Sequence, residues 1–379
     1  MSTSARIYLD HHATSPLVPA AREAMARALD SHGNPSSIHA EGRAARDVVE
    51  RARDAIAGLF GRPREGVVLT SGGTEGNALG VLGLALAVER AGGPRIVITS
   101  AIEHPSLRGA VDALAVRGWT TEVLPVDGEG RIDPATPSLR GAGLVALAVV
   151  NHELGTLVDV AAVAREARSG GALIHLDAVQ AAGKLALWTL DADSIAISAH
   201  KLGGPPGVGA LFASSHLDAA LPIVGGGQQE RGRRAGTENV VGIAGFGAAA
   251  AAVDLPSWAG VTARGAELEE AIVRLPGARI HGARAPRVGG TVNAGFEGAL
   301  GESIVIGLDL AGIAASTGAA CTSGSTQPSP VLLALGLTPG AAREGVRFSL
   351  GRSTTGEELA IVVAQLAAIV DRVRAALER

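Results

Sequence analysis

Seven short runs in this chain, Gly66–Thr70, Arg95–Thr99, Thr121–Pro125, Leu144–Val150, Leu173–Asp177, Ser194–Ser198 and Gly209–Ala213, read as apolar on both faces and end in polar or glycine-bearing turns. A strand with one wet face alternates, whereas one that is apolar throughout has to be covered on both sides. Glu41–Phe60 and Thr74–Ala91 place apolar residues at helical spacing among these runs. The alternation confines the chain to an α/β fold with a mostly parallel, seven-stranded sheet. Near Asp254-Leu255-Pro256-Ser257 the rhythm breaks. A helix is predicted at Val261–Leu275, strands at Gly289–Phe296, Ile313–Ser316 and Gly345–Ser349, and a terminal helix over Thr355–Glu378. The expected organisation is a large domain over 15–253 and a smaller α+β domain from 1–14 and 254–379. Gly225–Thr237 is the one biased segment and reads as an exposed loop.

At 379 residues the chain exceeds what one core usually supports. Hydrophobic residues at 47%, charged at 18% and aromatic at 2%, with 52 glycines, mean an aliphatic core on a tightly turned backbone. The net charge of -4 provides no overall basic field for a nucleic acid or a membrane surface, so binding is expected to be local. A single cysteine, Cys321, cannot form an internal disulfide, and Met1–Asp10 lacks the pattern of a signal peptide. The most apolar stretch, Val240–Val253, is shorter than the roughly 20 residues of a membrane span. A cytoplasmic protein is expected.

In parallel sheets ligands collect beyond the carboxyl ends of the strands, so the residues there come first. Ser71-Gly72-Gly73-Thr74-Glu75 is a glycine turn opening a helix, where bare N–H groups and the helix dipole suit a phosphate; taken alone such a turn is more often a plain helix start. Leu173–Asp177 ends in a carboxylate with Gln180 three residues on, and the next strand ends in Ser198-Ala199-His200-Lys201. Such an acid and lysine commonly form only a salt bridge. Here Lys201 is followed by Leu202-Gly203-Gly204-Pro205-Pro206-Gly207, a stretch of little bulk that leaves room for a ring. A Schiff-base lysine, a carboxylate for a pyridine nitrogen and a phosphate cup are together the parts of a pyridoxal phosphate site.

These segments resemble class V aminotransferases of the fold type I pyridoxal phosphate enzymes, and among them the cysteine desulfurases. The likeness runs over nearly the whole chain: Tyr8-Leu9-Asp10 with Ala13-Thr14, Gly33-Asn34-Pro35-Ser36-Ser37 with His39, Thr70 to Glu75, Glu103-His104, His175 to Gln180, Ser198 to Lys201, the block ending at Asn239, and Arg347 to Arg352. It implies that Lys201 bonds the cofactor and then shuttles the substrate's α proton. Asp177 keeps the ring nitrogen protonated, Gln180 binds the phenolic oxygen, and His104 stacks on the ring and moves protons. Gly73, Thr74, Ser198 and His200 surround the phosphate, and Thr237 reaches the phosphate of a neighbouring subunit, which implies a homodimer with shared sites. Asn34 and Arg347 bind the substrate, Arg347 clamping its α-carboxylate with the bidentate geometry that favours arginine, while Arg352 reads as structural.

The run from Ser316 to Ser325 resembles the long catalytic loop of one desulfurase group, with Cys321 as the nucleophile that takes sulfur from L-cysteine as a persulfide and leaves alanine; only the thiolate is competent. Two positions depart from the family pattern. His11-His12 stand where Asn-Ala is usual, and His152 replaces the asparagine beside the cofactor's phenolic oxygen. His152 can donate one hydrogen bond there, and His11, His12 and His39 are expected to be structural rather than metal ligands. Rival readings are a selenocysteine lyase, another class V aminotransferase, and a non-catalytic partner in sulfur transfer. The sulfur acceptor, in iron-sulfur cluster assembly or thio-modification, is not legible.

Overall fold

The structure is a computed structural model that describes residues 6–215, 224–318 and 327–377. Its centre is a sheet in the order β2 (Val67–Thr70), β8 (Gly209–Ala213), β7 (Ser194–Ser198), β6 (Leu173–Asp177), β5 (Leu144–Ala148), β3 (Ile96–Ser100), β4 (Thr120–Leu124). Only β8 runs against its neighbours; the other pairings are parallel. In register, Ala148 faces Asp177 and Asp177 faces Ala196, which sets the carboxyl ends of three central strands side by side.

The sheet is covered twice, which is why its strands read as apolar throughout. Alternate residues enter different cores. Val67, Leu69, Val145, Leu147, Ile195 and Ile197 join the face under α2 (Ala40–Phe60), α5 (Val160–Ser169) and α6 (Val240–Ala251), while Val68, Leu144, Ala146 and Ala196 join that under α3 (Gly73–Arg90) and α4 (Pro105–Asp112). The expectation that all seven runs are buried on both faces fails at β4. It lies at one edge of the sheet, and its polar Thr120, Thr121 and Glu122, with Val123, are exposed or half-exposed there, whereas β2 at the other edge is buried throughout. The Gly/Ala composition of α6 permits close helix packing: a Cβ at Gly247 would fall 2.5 Å from Ala52, and one at Gly245 2.6 Å from Met25. Among the described residues no helix is long and apolar enough to cross a membrane.

A further core gathers α7 (Trp258–Ile272), α8 (Gly301–Leu310) and α11 (Gly356–Leu377) around the antiparallel sheet β12 (Gly345–Ser349), β10 (Thr291–Phe296), β9 (Ala278–Ile280). The chain's start joins it, since β1 (Ile7–Tyr8) pairs in parallel with β11 (Ile313–Ala314), and His11 N–H donates to Ser349 O at 3.1 Å. The predicted strand at Ile313–Ser316 is shorter in fact and continues as a bridge from Ser316 to Arg347. Arg352 is structural here: it donates to Gly183 O at 2.7 Å and to Ser257 Oγ at 3.0 Å, with its guanidinium 5.4 Å from the Trp258 ring.

His175, in the middle of β6, is fully enclosed, and burial pushes its imidazole down to about 3. It lies against Gly80 of α3, where a Cβ would stand 2.3 Å from His175 Nδ1 and 3.0 Å from Ser194 Oγ. Gly80→Ala is therefore expected to destabilise the protein by about 1–3 kcal/mol through overpacking, read from urea unfolding. The neutral ring also carries a pH dependence. Its unfolded value of 6.5 lies above the folded one, so the unfolded chain binds a proton that the folded chain refuses, and stability falls as pH drops below 6.5. Between pH 6.5 and about 5 this one group should cost about 1–2 kcal/mol. Unfolding of His175→Asn at the two pH values should show a fall shallower by that amount.

Candidate active site

The ends of β6 and β7 bring the expected residues into one buried cluster. Asp177, 6% exposed, accepts from Val179 N–H at 2.9 Å and from Asn77 Nδ2 at 2.8 Å. Behind it runs a buried polar chain, in which His175 Nε2 lies 3.1 Å from Asn77 Oδ1 and its Nδ1 lies 2.8 Å from Ser194 Oγ. Asn77 Nδ2 also reaches Ser106 Oγ at 2.9 Å, and that hydroxyl is 2.8 Å from His104 Nδ1. One carboxamide thus fixes both the carboxylate at the end of β6 and the histidine that caps α4. His104 Nδ1 accepts from Ser106 N–H at 3.1 Å. The neutral ring then carries its proton on Nε2, and burial lowers its pKa below the usual imidazole range.

Lys201 follows β7 through a single 3-10 turn. Its Nζ donates to two backbone carbonyls of the N-terminal segment, those of His12 and Ala13, the latter at 2.8 Å. Gln180 Nε2 donates to the same His12 carbonyl at 2.9 Å. Lys201 and Gln180 are thus tied to one oxygen.

The glycine turn opens α3 as anticipated, and no side chain caps that helix. The turn is pressed against both central strands: a Cβ at Gly73 would stand 2.6 Å from Val179 Cγ2 and 3.6 Å from Ser198 Cβ. Bare N–H groups therefore point from a helix start toward the ends of β6 and β7, a cradle for an anion. Thr74 is exposed beside them and Ser198 is buried. His200 Nδ1 lies 3.2 Å from Thr14 Oγ1, and burial followed by the Lys201 charge pushes it down to about 4. Arg234, in the segment read as an exposed loop, is tied to this cradle by its ion pair with Glu75 at 2.7 Å.

His152 packs edge-on against His104, with ring centroids 5.0 Å apart, and burial holds it well below the usual imidazole range. Arg347, on β12, donates to His152 O at 2.9 Å and to Asp10 Oδ1 at 2.7 Å, while its Nε is buried without a hydrogen-bond partner. A guanidinium with an unused buried donor is suited to a carboxylate. The outer wall is a cavity of about 120 Å³ bounded by Glu103, Arg108, His152, Glu153, Gly318 and Pro330 among others. Glu153 holds Ser329 Oγ at 2.6 Å and Glu103 accepts from Ala148 N–H at 2.8 Å; burial pushes the two carboxyls up to about 7 and about 8 respectively.

Two expected residues stand apart. Asn34 is exposed in the turn before α2 and accepts from Ser36 N–H, and Thr237 is exposed before α6; the described contacts join neither to the cluster. Cys321 lies outside the described residues. His12, expected to be structural, supplies the backbone oxygen to which Lys201 and Gln180 are bound. Asn77 was not anticipated, although its place one helical turn beyond Thr74 marks it as facing the cradle. Nor was Lys184, one of only two lysines in the chain.

The residues present fit pyridoxal phosphate: a lysine and a buried carboxylate at adjacent strand ends, beside an anion cradle. Comparison with known proteins agrees. The model of the family described as Aminotransferase class-V matches residues 7–362. A cysteine desulfurase of Enterobacter agglomerans is 40% identical over 97% of this chain and 93% of its own length, and one of Cereibacter sphaeroides is 41% identical over 98% and 97%. Among solved structures, a NifS-like protein superposes with a TM-score of 0.87 at 29% identity, covering 97% of this chain and 100% of that one. SspA, solved in complex with cysteine, gives 0.79 at 28% identity over 92% and 100%. Fold, cluster and relatives converge, and the chain belongs to the class V aminotransferases, in their cysteine desulfurase group.

Proposed function

We propose that this protein is a pyridoxal phosphate-dependent cysteine desulfurase that releases alanine from L-cysteine and holds the sulfur on Cys321 as a persulfide. The observation that carries the reading is the meeting of Asp177, Gln180 and Lys201 beside the uncapped start of α3. Bound there, the cofactor supplies an electron-withdrawing ring that acidifies the substrate's α-carbon.

The chain's own residues do the rest. Asp177 holds the proton on the ring nitrogen, fixed for that task by Asn77. Gln180 donates to the phenolic oxygen, His104 covers the ring, and His152 stands beside it as a neutral imidazole. The N–H groups at Gly73 with Thr74, Ser198 and His200 hold the phosphate. His200 acts there as a neutral donor. Arg347 grips the substrate's α-carboxylate. Lys201 is the covalent anchor and, once its amine is released, takes the α proton. His104 starts neutral with its proton on Nε2, so it enters proton transfer as a donor from that atom.

In the sulfur step the Cys321 thiolate attacks the substrate sulfur. An S–S bond forms and the C–S bond breaks with its electron pair left on the β-carbon; the β-carbon takes up a proton and the α-carbon regains one from Lys201, which gives alanine. The remaining features of the reading are a homodimer in which Thr237 reaches the partner's phosphate, a small domain formed by 1–14 and 254–379, a cytoplasmic location, and a protein acceptor of the persulfide in iron-sulfur cluster assembly or thio-modification. Sequence likeness to cysteine desulfurases over nearly their full length supports the desulfurase reading itself.

The test is alanine formation from L-cysteine by the purified, cofactor-loaded protein, with a reducing thiol to accept sulfur, beside Cys321→Ala. Alanine from the wild type and a loss of at least about 100-fold in the variant are expected, since the nucleophile is removed outright. Equal alanine from both would sink the persulfide role, and selenocysteine as the only productive substrate would move the assignment to a lyase.

A further inference from the structure

Two of the 33 basic residues in this chain are lysines and the rest are arginine. One lysine is Lys201. The other, Lys184, is buried three residues beyond the last turn that carries Ala181, and it serves no surface charge pattern. Its Nζ lies 3.1 Å from Gln180 Oε1 and 3.0 Å from His12 Nε2, with the Trp258 ring 5.5 Å away. Burial, followed by the like charges of Lys201, Arg347 and Arg352, pushes it well below the usual ammonium range. Here the amine meets two acceptors, both within reach of its N–H groups.

The direction of each hydrogen bond is fixed by its neighbour. His12 Nδ1 lies 3.1 Å from His152 O, a pure acceptor, so Nδ1 carries the ring proton. His12 Nε2 is then an acceptor, receiving Lys184 and Thr291 Oγ1, the latter at 3.0 Å. Lys184 also donates to Gln180 Oε1, which forces Gln180 to turn Nε2 the other way, toward His12 O. Flipping that amide would set Oε1 against the His12 carbonyl and lose the bond from Lys184. One Nε2 proton is used on His12 O, and the second remains for a ligand.

We infer that Lys184 is a positioning residue, acting with His12 to lock the Gln180 amide so that an N–H, and never a carbonyl oxygen, is presented to the cofactor's phenolic oxygen. This rests on the pyridoxal phosphate reading above. It also gives the histidine at position 12 a task that the alanine usual there cannot perform, because the imidazole links the amine to the backbone of the residue beside His104.

The experiment is cofactor binding to the apo-protein, followed by pH titration of the cofactor's visible absorption band, for wild type, Lys184→Met, Gln180→Ala and the double variant. Lys184→Met should raise the dissociation constant about tenfold, the scale of one lost buried hydrogen bond, and shift the band's midpoint by about one pH unit. Gln180→Ala should do the same, and the double variant should be no worse than Gln180→Ala, because Lys184 acts through that amide. Wild-type binding and midpoint in Lys184→Met, or losses that multiply in the double variant, would overturn the inference. If Lys184→Met does not fold, Lys184→Gln replaces it: its shorter amide cannot reach both acceptors, so the same loss is expected and a wild-type constant overturns the proposal. A wild-type protein that develops no visible band with the cofactor would instead remove the pyridoxal phosphate reading itself.

Discussion

The backbone carbonyl of His12 is the point on which this site is assembled. It accepts from Lys201 at the end of β7 and from Gln180 beyond the end of β6, so two side chains of the proposed cofactor site are referred to one atom. The same residue is held from the other side, its N–H donating to Ser349 Oγ on β12 at 2.9 Å and its ring accepting from Thr291 on β10. A short N-terminal segment therefore joins two separately cored halves. Since each of these polar groups is buried, losing one partner strands another, which makes the arrangement strongly mutually dependent.

Burial also sets the charge state around it. His12, His104, His152 and His200 are all driven toward the neutral form, as is Lys184, while Glu103 and Glu153 are driven toward the protonated acid. A low-dielectric pocket furnished with neutral donors and acceptors strengthens the charges that a reaction does create within it. It also suits the proposed division of labour, in which histidines that begin neutral orient and donate while the released amine of Lys201 is the base.

Much of this was legible in the sequence because it follows from local rules. Strands apolar on both faces must lie inside a doubly covered sheet, and β6, β7, β8 and β12 begin and end where their apolar runs do. Asp177, Gln180 and Lys201 stood out because strand ends are where ligands bind. What escaped reading depends on contacts across the chain. β4 is the exception, since its Thr-Thr-Glu start already marks a partly wet strand, whereas β2 at the other edge is buried throughout. The partners of Asn77 lie at positions 106, 175 and 177, and those of Lys184 include residue 12, at separations no periodicity reports. The part played by His12 was hidden for the same reason, since its decisive group is a backbone carbonyl, which every residue possesses.

With only two lysines in the chain, both at this site, the central assignment can be tested with little ambiguity. The cofactor-loaded protein would be reduced with borohydride, digested and mapped by mass spectrometry. The expected result is a pyridoxyl label on Lys201 with Lys184 unmodified. A label on Lys184, or cofactor retained with neither lysine labelled, would contradict the assignment of Lys201 as the covalent anchor and of Lys184 as the residue that orients Gln180.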